Sequence, residues 1–459
     1  MILLKITYKN LSAMACSTSM ADWRNLLPEI VLSMAQQLVV ADIIRLRSVC
    51  VNWARALGRS SGMRPLSAPP RAGNLSFFQP SPWLLLPNSV AHASSDDCAF
   101  FSIIEDRLYK ISSLPQLTGR NLLGTSQHGW LVTIDNLRLT PRFFNPLTKE
   151  EIPLPSLITI PRLFVPQYSP KDGTLLGLWY NTNNFYFPRE RFFALVKLCL
   201  KKIILTSSPM QGSIAVVLCI TDNPKNCLSF ARVGGASWSP YLKLPGNFDF
   251  FEDVVFNEEN NKLYALTNLG AVFILECRNN SIEVLSMVSM RIRETPSALT
   301  KTYMFFSSGE LMQVTWNLHL VCCDVHAGSL TEGYMDTAVF KIFRFDPDCY
   351  NRHDPQITDV QIIKTNPNIC PYASCWVPVN DLGGQSLFIG SDNCFTIDCG
   401  DEQKRNKVFF LYNVSWLEHI SQAYCVYDLK SNEIEHLNSP YDLPPAKYLP
   451  IWFLPALTV

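Results

Sequence analysis

The chain lacks the short signatures on which an enzymatic reading would rest. Among its 459 residues there is no phosphate-cradling G-x-x-x-x-G-K-[ST], no G-x-S-x-G nucleophile elbow and no H-E-x-x-H zinc helix. Net charge is missing as well: 39 Lys and Arg balance 39 Asp and Glu, so the whole chain offers no electrostatic case for nucleic acid. No apolar run approaches the roughly 18 residues that a membrane span requires. The opening MILLKITYKNLSAMAC has neither the charged region nor the long apolar core of a secretory signal, and residues 1–19 read as a disordered tail. The 15 cysteines are odd in number and scattered from Cys16 to Cys425, with no disulfide-dense module. They read as buried thiols of a protein of the cytoplasm or nucleus, where the sequons at Asn10, Asn74, Asn279 and Asn413 mean nothing.

Isolated candidates for chemistry do not assemble into a site. Cys322 and Cys323 with His319 and His326 come nearest to a metal set, yet zinc takes four well-placed ligands and no C-x-x-C pair completes them. Cys370 with Cys375, and Cys394 with Cys399, read as core or strand cysteines. Glu252-Asp253 and Glu258-Glu259 sit beside turn signals and read as solvated loop charges rather than the carboxylate pair of a glycoside hydrolase. No catalytic residue, metal or cofactor is assigned.

What is present begins with two helical patterns. Proline at Pro28 loses no needed N–H at a first helical position, and Glu29 beside it suits the positive end of the helix dipole. Ile30, Val31, Met34, Ala35 and Leu38 then form one apolar stripe opposite Glu29, Ser33, Gln36 and Gln37. A second helical run carries Ile43, Leu46, Val49, Cys50, Trp53 and Leu57, with Arg45, Arg47, Arg55 and Arg59 between them. About forty residues seldom bury enough surface to be stable alone, so the pair needs a cover. No acidic residue occurs from Ile43 to Ser95, while Arg45, Arg47, Arg55, Arg59, Arg64 and Arg71 give that stretch a charge of six. It reads equally as a basic face that steers an acidic partner or as a solvated helix face and linker.

Residues 58–74, GRSSGMRPLSAPPRAGN, carry no apolar period and read as a linker. From residue 75 the pattern changes to short period-two runs rich in aromatic and β-branched residues. Examples are 107–111, 130–134, 262–266, 339–343 and 407–411, and long helices find no place. One unit recurs: a strand, a polar turn and a second strand, as at Phe143–Leu154, Ile274–Val284 and Val426–Leu437. Hairpins repeated over residues 75–459 are too much chain for one sandwich, and radial repetition protects short strand edges. The fold class expected is therefore a small all-α module followed by an all-β domain, a β-propeller of six to eight blades at roughly 40–50 residues per blade with long inserts. Pairing 82–86 with 451–454 would close the ring.

Two resemblances sharpen this reading. Trp23, Leu26-Leu27-Pro28-Glu29-Ile30, Leu38, Asp42 and Val49-Cys50-Val51-Asn52-Trp53 together resemble the F-box motif, here residues 20–57. His128-Gly129-Trp130-Leu131, Phe144-Asn145-Pro146-Leu147-Thr148, Ile152-Pro153-Leu154-Pro155 and the later Trp238-Ser239, Ser308-Gly309-Glu310 and Pro450-Ile451-Trp452-Phe453 resemble plant F-box-associated propellers of the KIB type. The first resemblance implies docking on a Skp-type adaptor, and through it on a cullin, by Trp23, Leu26, Leu27, Pro28, Ile30, Val31, Leu38, Val49, Cys50 and Trp53. Together they imply a non-catalytic substrate receptor of an SCF-type ubiquitin ligase, whose propeller binds a protein substrate, with no nucleic-acid or membrane partner. Other readings are a scaffold that binds the adaptor without degrading its partner, and a propeller enzyme such as a glycan hydrolase. Asn181–Tyr186 and Asp346–Pro355 are plausible recognition-loop tips by turn composition.

Overall fold

The computed structural model describes residues 23–57, except 36, 37 and 39, and residues 82–455 except 87–97, 104, 112–113, 127–128, 136, 162, 181–184, 207–213, 223–224, 241, 243–250, 268–270, 279–280, 291–299, 320–336, 349–374, 391–392, 399–401, 417–418 and 438–450. The tail expected at 1–19 and the linker expected at 58–74 lie outside these residues. The chain divides into two compact units, the described residues of 23–57 in the first and those of 82–455 in the second.

Among its described residues the first unit contains three short helices, α1 (Pro28–Ala35), α2 (Val40–Val49) and α3 (Val51–Ala56). The second helical run expected from the sequence is thus broken in two. The break is at Cys50, whose backbone is extended (φ −159°, ψ 165°) and whose Sγ accepts from Trp53 N at 3.5 Å as the N-cap of α3. A thiol is a weak cap beside Ser or Asp, so the apolar period runs through it without a stop signal.

The second unit is built of seven sheets among the described residues. Strands β1 (Trp83–Leu86), β2 (Cys98–Ser102) and β3 (Arg107–Ile111) form the first sheet, and β4 (Arg120–Ser126), β5 (Trp130–Asp135), β6 (Thr140–Phe144) and β7 (Glu151–Pro153) the second. Then follow the three-stranded β8 (Phe164–Tyr168), β9 (Leu175–Tyr180) and β10 (Phe185–Pro188), the helix α4 (Phe192–Cys199), and the three-stranded β11 (Leu200–Leu205), β12 (Ile214–Asp222) and β13 (Lys225–Arg232). Two four-stranded sheets come next, β14 (Phe251–Asn257) to β15 (Lys262–Thr267), β16 (Ala271–Arg278) and β17 (Ser281–Met290), and β18 (Thr300–Ser307) to β19 (Glu310–His319), β20 (Thr337–Phe345) and β21 (Trp376–Val379). The seventh sheet has the order β23 (Cys394–Asp398), β22 (Gln385–Ile389), β24 (Lys407–Trp416), β25 (His419–Asp428), β26 (Ile434–Leu437). The last strand, β27 (Ile451–Phe453), returns to the first sheet and pairs with β1, setting Trp83 opposite Phe453 and Leu85 opposite Ile451. The pairing expected of these two apolar segments is present.

Consecutive sheets adjoin through their leading strands: β27 lies beside β4, β4 beside β11, β11 beside β14, β14 beside β18 and β18 beside β23. Burial follows from this. β1 and β27 are buried at every position, and β14 at all but one, because both faces are covered; the outer strands β3 and β26 remain largely exposed. The sheet β8–β9–β10 falls in the chain between β7 and β11, although β4 meets β11 directly.

The recurring hairpin has a local cause. At Asp135, Asn145 and Asp428 the side chain accepts from the backbone N–H groups two and three residues on. The residue four places on (Leu139, Lys149 and Asn432) has φ of 51°, 62° and 60°, and its N–H returns to the first carbonyl. A short Asx side chain thus sets each turn, and a left-handed residue restores strand direction. In the β18–β19 turn, Ser308 and Gly309 both have positive φ (50° and 80°), the two-residue pattern that matches strand twist.

Helix α4 departs from expectation. Its sequence, Phe-Phe-Ala-Leu-Val-Lys-Leu-Cys, runs without a break into the apolar β11, and a continuous apolar run does not separate helix from strand. Phe192, Leu195, Val196 and Cys199 are buried in the core shared with Trp130, Phe143, Leu178 and Trp238.

A second correction concerns Asp253, expected in a solvated loop. It sits inside β14, 3% exposed, with Oδ1 2.7 Å from Lys202 Nζ on β11 and Oδ2 accepting from Met304 N on β18 at 2.9 Å. One carboxylate therefore joins three adjacent leading strands. Lys202→Met should cost about 3–5 kcal/mol by leaving this carboxylate buried without its cation, and adding Asp253→Leu should recover much of the loss. Denaturant unfolding of the two variants checks this; equal loss in both would mean that the charge pair is not the source.

Candidate functional site

In the first unit the apolar residues separate into two sets. Val31 and Ala35 of α1, Ile43 of α2, and Trp53 and Leu57 of and after α3 are buried. Trp53 Nε1 donates to Trp23 O at 2.8 Å and Asn52 Nδ2 to Arg24 O at 3.0 Å, so α3 holds the turn Trp23–Asn25 that precedes α1. Leu27 O accepts from Ile30 N and Val31 N at 3.0 and 3.2 Å, which starts α1 at Pro28 as its sequence predicts.

The second set faces outward. Trp23, Leu27, Ile30 and Val49 are 50, 64, 45 and 61% exposed. Of the other residues expected at the docking site, Pro28 is exposed, Leu26, Leu38 and Cys50 are half-buried, and Val31 and Trp53 are buried in the small core. The ten residues thus serve two physical ends: some present the surface and some hold it. Leu32, Ile44 and Val51 are also exposed and were not among the ten residues expected at the docking site. Val51 follows directly on the helix break at Cys50, which carries no stop signal in the sequence.

The basic stretch is only partly free. Arg45 pairs with Asp42, Arg55 Nη1 donates to Asn52 Oδ1 at 3.2 Å, and burial lowers the Arg47 guanidinium from its ordinary value. Arg59, Arg64 and Arg71 lie outside the described residues.

The second unit assembles no reactive constellation from the sequence candidates. Glu258 and Glu259 are exposed in the turn after β14, whereas Asp253 is fully engaged. Burial pushes the Cys394 thiol well up, with Asp253 adding to the effect, which opposes the thiolate a nucleophile needs. Cys375 is buried, His319 ends β19, and Cys322, Cys323, His326, Cys370 and Cys399 lie outside the described residues, within which no group of three metal-binding side chains occurs. Arg120 is lowered to about 10, chiefly by burial and then by Arg142. It spends its donors on Thr133 Oγ1 and the carbonyls of Thr133 and Thr140 inside its own sheet. Of the expected loop tips, residues 181–184 and 349–355 lie outside the described residues, while Phe185 and Tyr186 belong to strand β10 rather than to a tip.

Residues 100–428 match the family model described as the KIB1-4 beta-propeller. The chain belongs to this family. Its second unit is accordingly a β-propeller domain, and the KIB-type resemblance read from the sequence holds. Over 162 residues the chain is 28% identical to a provisionally named F-box protein of Arabidopsis thaliana, a match covering 35% of this chain and 38% of that protein. The chain therefore spans well under half the length of this curated relative. Among solved structures it is similar to the propeller domain of Cps50 (Swd1) from Myceliophteria thermophila, at 9% identity and TM-score 0.29 over 76% of this chain and 82% of that one. It is also similar to a polysaccharide lyase, an ulvan lyase, at 10% identity and TM-score 0.31 over 72% of each chain. At such scores these likenesses bear on neither blade number nor chemistry. No helix among the described residues of this KIB-family chain is long and apolar enough to cross a membrane.

The division of the helical residues is testable. Trp53→Ala should destabilise the three helices, by about 3–5 kcal/mol for a buried tryptophan, and raise amide hydrogen exchange across residues 28–56. Leu27→Ala, at an exposed side chain, should leave that exchange unchanged; equal effects would show that the two sets are not distinct.

Proposed function

We propose that the chain is the substrate-recognition subunit of an SCF-type ubiquitin ligase. Residues 20–57 form an F-box that docks on a Skp-type adaptor and through it on a cullin, residues 58–74 link it to the body, and the propeller of residues 75–459 binds a protein substrate. The observation that carries this reading is the exposed apolar set Trp23, Leu27, Ile30 and Val49 on a helical unit too small to leave it uncovered. The similarity to the Arabidopsis F-box protein supports it. In this reading the chain supplies no catalysis, cofactor or metal, and it works in the cytoplasm or nucleus. The leading strands β27, β4, β11, β14, β18 and β23 would define six blades, with β8–β9–β10 as an accessory sheet.

Leu27→Ala combined with Pro28→Ala should abolish adaptor pull-down, since hot-spot side chains at such interfaces are worth about 2 kcal/mol or more, and should leave the thermal unfolding of the propeller unchanged. Unchanged pull-down would sink the F-box reading. Proteins that accumulate under proteasome inhibition only with the intact Leu27-Pro28 pair would be the substrates.

A further inference from the structure

The sheet β8–β9–β10 has two unlike faces. One belongs to the core: Phe164, Leu178 and Tyr180 are buried, the rings of Phe164 and Tyr180 lying 6.3 Å apart. The other carries a row across all three strands, with Val165 opposite Trp179 and Trp179 opposite Tyr186. These side chains are 48, 38 and 39% exposed. The next row is Gln167, Gly177 and Pro188.

Two features fix the rings on this face. Tyr186 lies over Gly177, where an added methyl would fall 2.3 Å from its hydroxyl. Its ring stands 5.1 Å from that of Trp179 at 50°, so the pair makes a shallow V. Neither Trp179 Nε1 nor the Tyr186 hydroxyl donates a hydrogen bond within the described residues. Between Phe164 and Pro188 the only charges are Lys171 and Asp172 in the β8–β9 turn. Directly beyond β10, Arg189 and Arg191 are exposed on either side of Glu190, and neither has an ion-pair partner among the described residues. Because β4 meets β11 directly, the sheet adds a surface without taking a place in the series of leading strands.

We propose that this face is a docking surface for an extended segment of a partner protein, with proline and aliphatic residues over Trp179 and Tyr186 and acidic residues against Arg189 and Arg191. A proline-rich segment is already extended and loses little freedom on docking. Its rings pack on aromatic faces, and its carbonyls accept from the indole N–H and the phenol. Carboxylates then complete the pairing with the two guanidinium groups. A basic partner would meet the same arginines as like charges. The surface deepens the receptor reading by naming the chemistry of the segment recognised, and it is independent of adaptor docking.

The test uses the full chain and three fluorescent peptides that share a proline-leucine core and differ in an acidic, serine or lysine tail. Anisotropy should show the acidic-tailed peptide bound most tightly. Gly177→Ala, which lifts Tyr186 while leaving a backbone without positive φ, should weaken that binding about tenfold or more with adaptor pull-down unchanged. Arg189→Glu with Arg191→Glu should shift the preference to the lysine tail. Equal binding of the three peptides by the parent chain would overturn the proposal. So would an acidic preference that survives the charge reversal, and these exposed arginines decide the matter even if Gly177→Ala does not fold. Loss of adaptor pull-down in Leu27→Ala/Pro28→Ala with peptide binding intact would leave the two docking events separate.

Discussion

The antiparallel pairing of β27 with β1 is the constraint on which the body depends. A chain of successive hairpins has two open ends, and each would expose unpaired N–H and C=O groups. Here the end is brought back over the beginning, and the contact is reinforced beyond its few ladder bonds. Trp452 is fully buried, its Nε1 donates to Ile389 O at 3.0 Å, and its ring meets Phe388 and Tyr424 edge-on. Its carbonyl accepts from Thr125 Oγ1 at 2.8 Å and Asn393 Nδ2 at 3.3 Å. One residue thus ties β27 to the second and seventh sheets. Farther round, the Lys202–Asp253 pair with Met304 N fastens three more leading strands. Both devices spend polar groups where water is excluded, so each fixes a geometry that apolar packing alone would leave looser.

The two units divide the work that the proposed role requires. The helical unit buries just enough to hold its shape and leaves large apolar side chains outside. Among the described residues the propeller buries most of its aromatic side chains, the sheet β8–β9–β10 excepted, and engages several of its polar groups: Asp253 accepts three hydrogen bonds, Arg120 bonds within its sheet, and burial pushes the Cys394 thiol well up. The proposed receptor needs a surface of defined shape and a separate surface for connection, and the described residues hold a candidate for each.

Much of this was legible in the sequence because its causes are local. Proline at Pro28, the period-two runs and the Asx turns at Asn145 and Asp428 act within a few residues, and each produced the element expected. The apolar strings at 83–86 and 451–453 pointed to each other because two fully apolar strands need burial on both faces. What escaped was non-local or degenerate. The partner of Asp253 lies 51 residues away, so its neighbours in sequence suggested only a turn. The run from Phe192 to Leu205 is apolar throughout and carries no boundary between helix and strand. A thiol cap at Cys50 resembles ordinary core sequence. The helical stripe named apolar residues of the proposed docking site but not their division, since Val31 and Ile30 are adjacent and only packing decides that one is buried and the other exposed.

The return of β27 to β1 also sets an order in time. Roughly 370 residues separate the two strands, and at about 5–20 residues per second synthesis takes roughly 20–75 s to cross that interval. Throughout it β1 exists without its native inner neighbour, although the helices before it have long since emerged. The described helices of the first unit are therefore made early, while the body stays open until β27 is made. A nascent chain of this design has its exposed apolar helical face, the surface proposed for the adaptor, well before its body is closed.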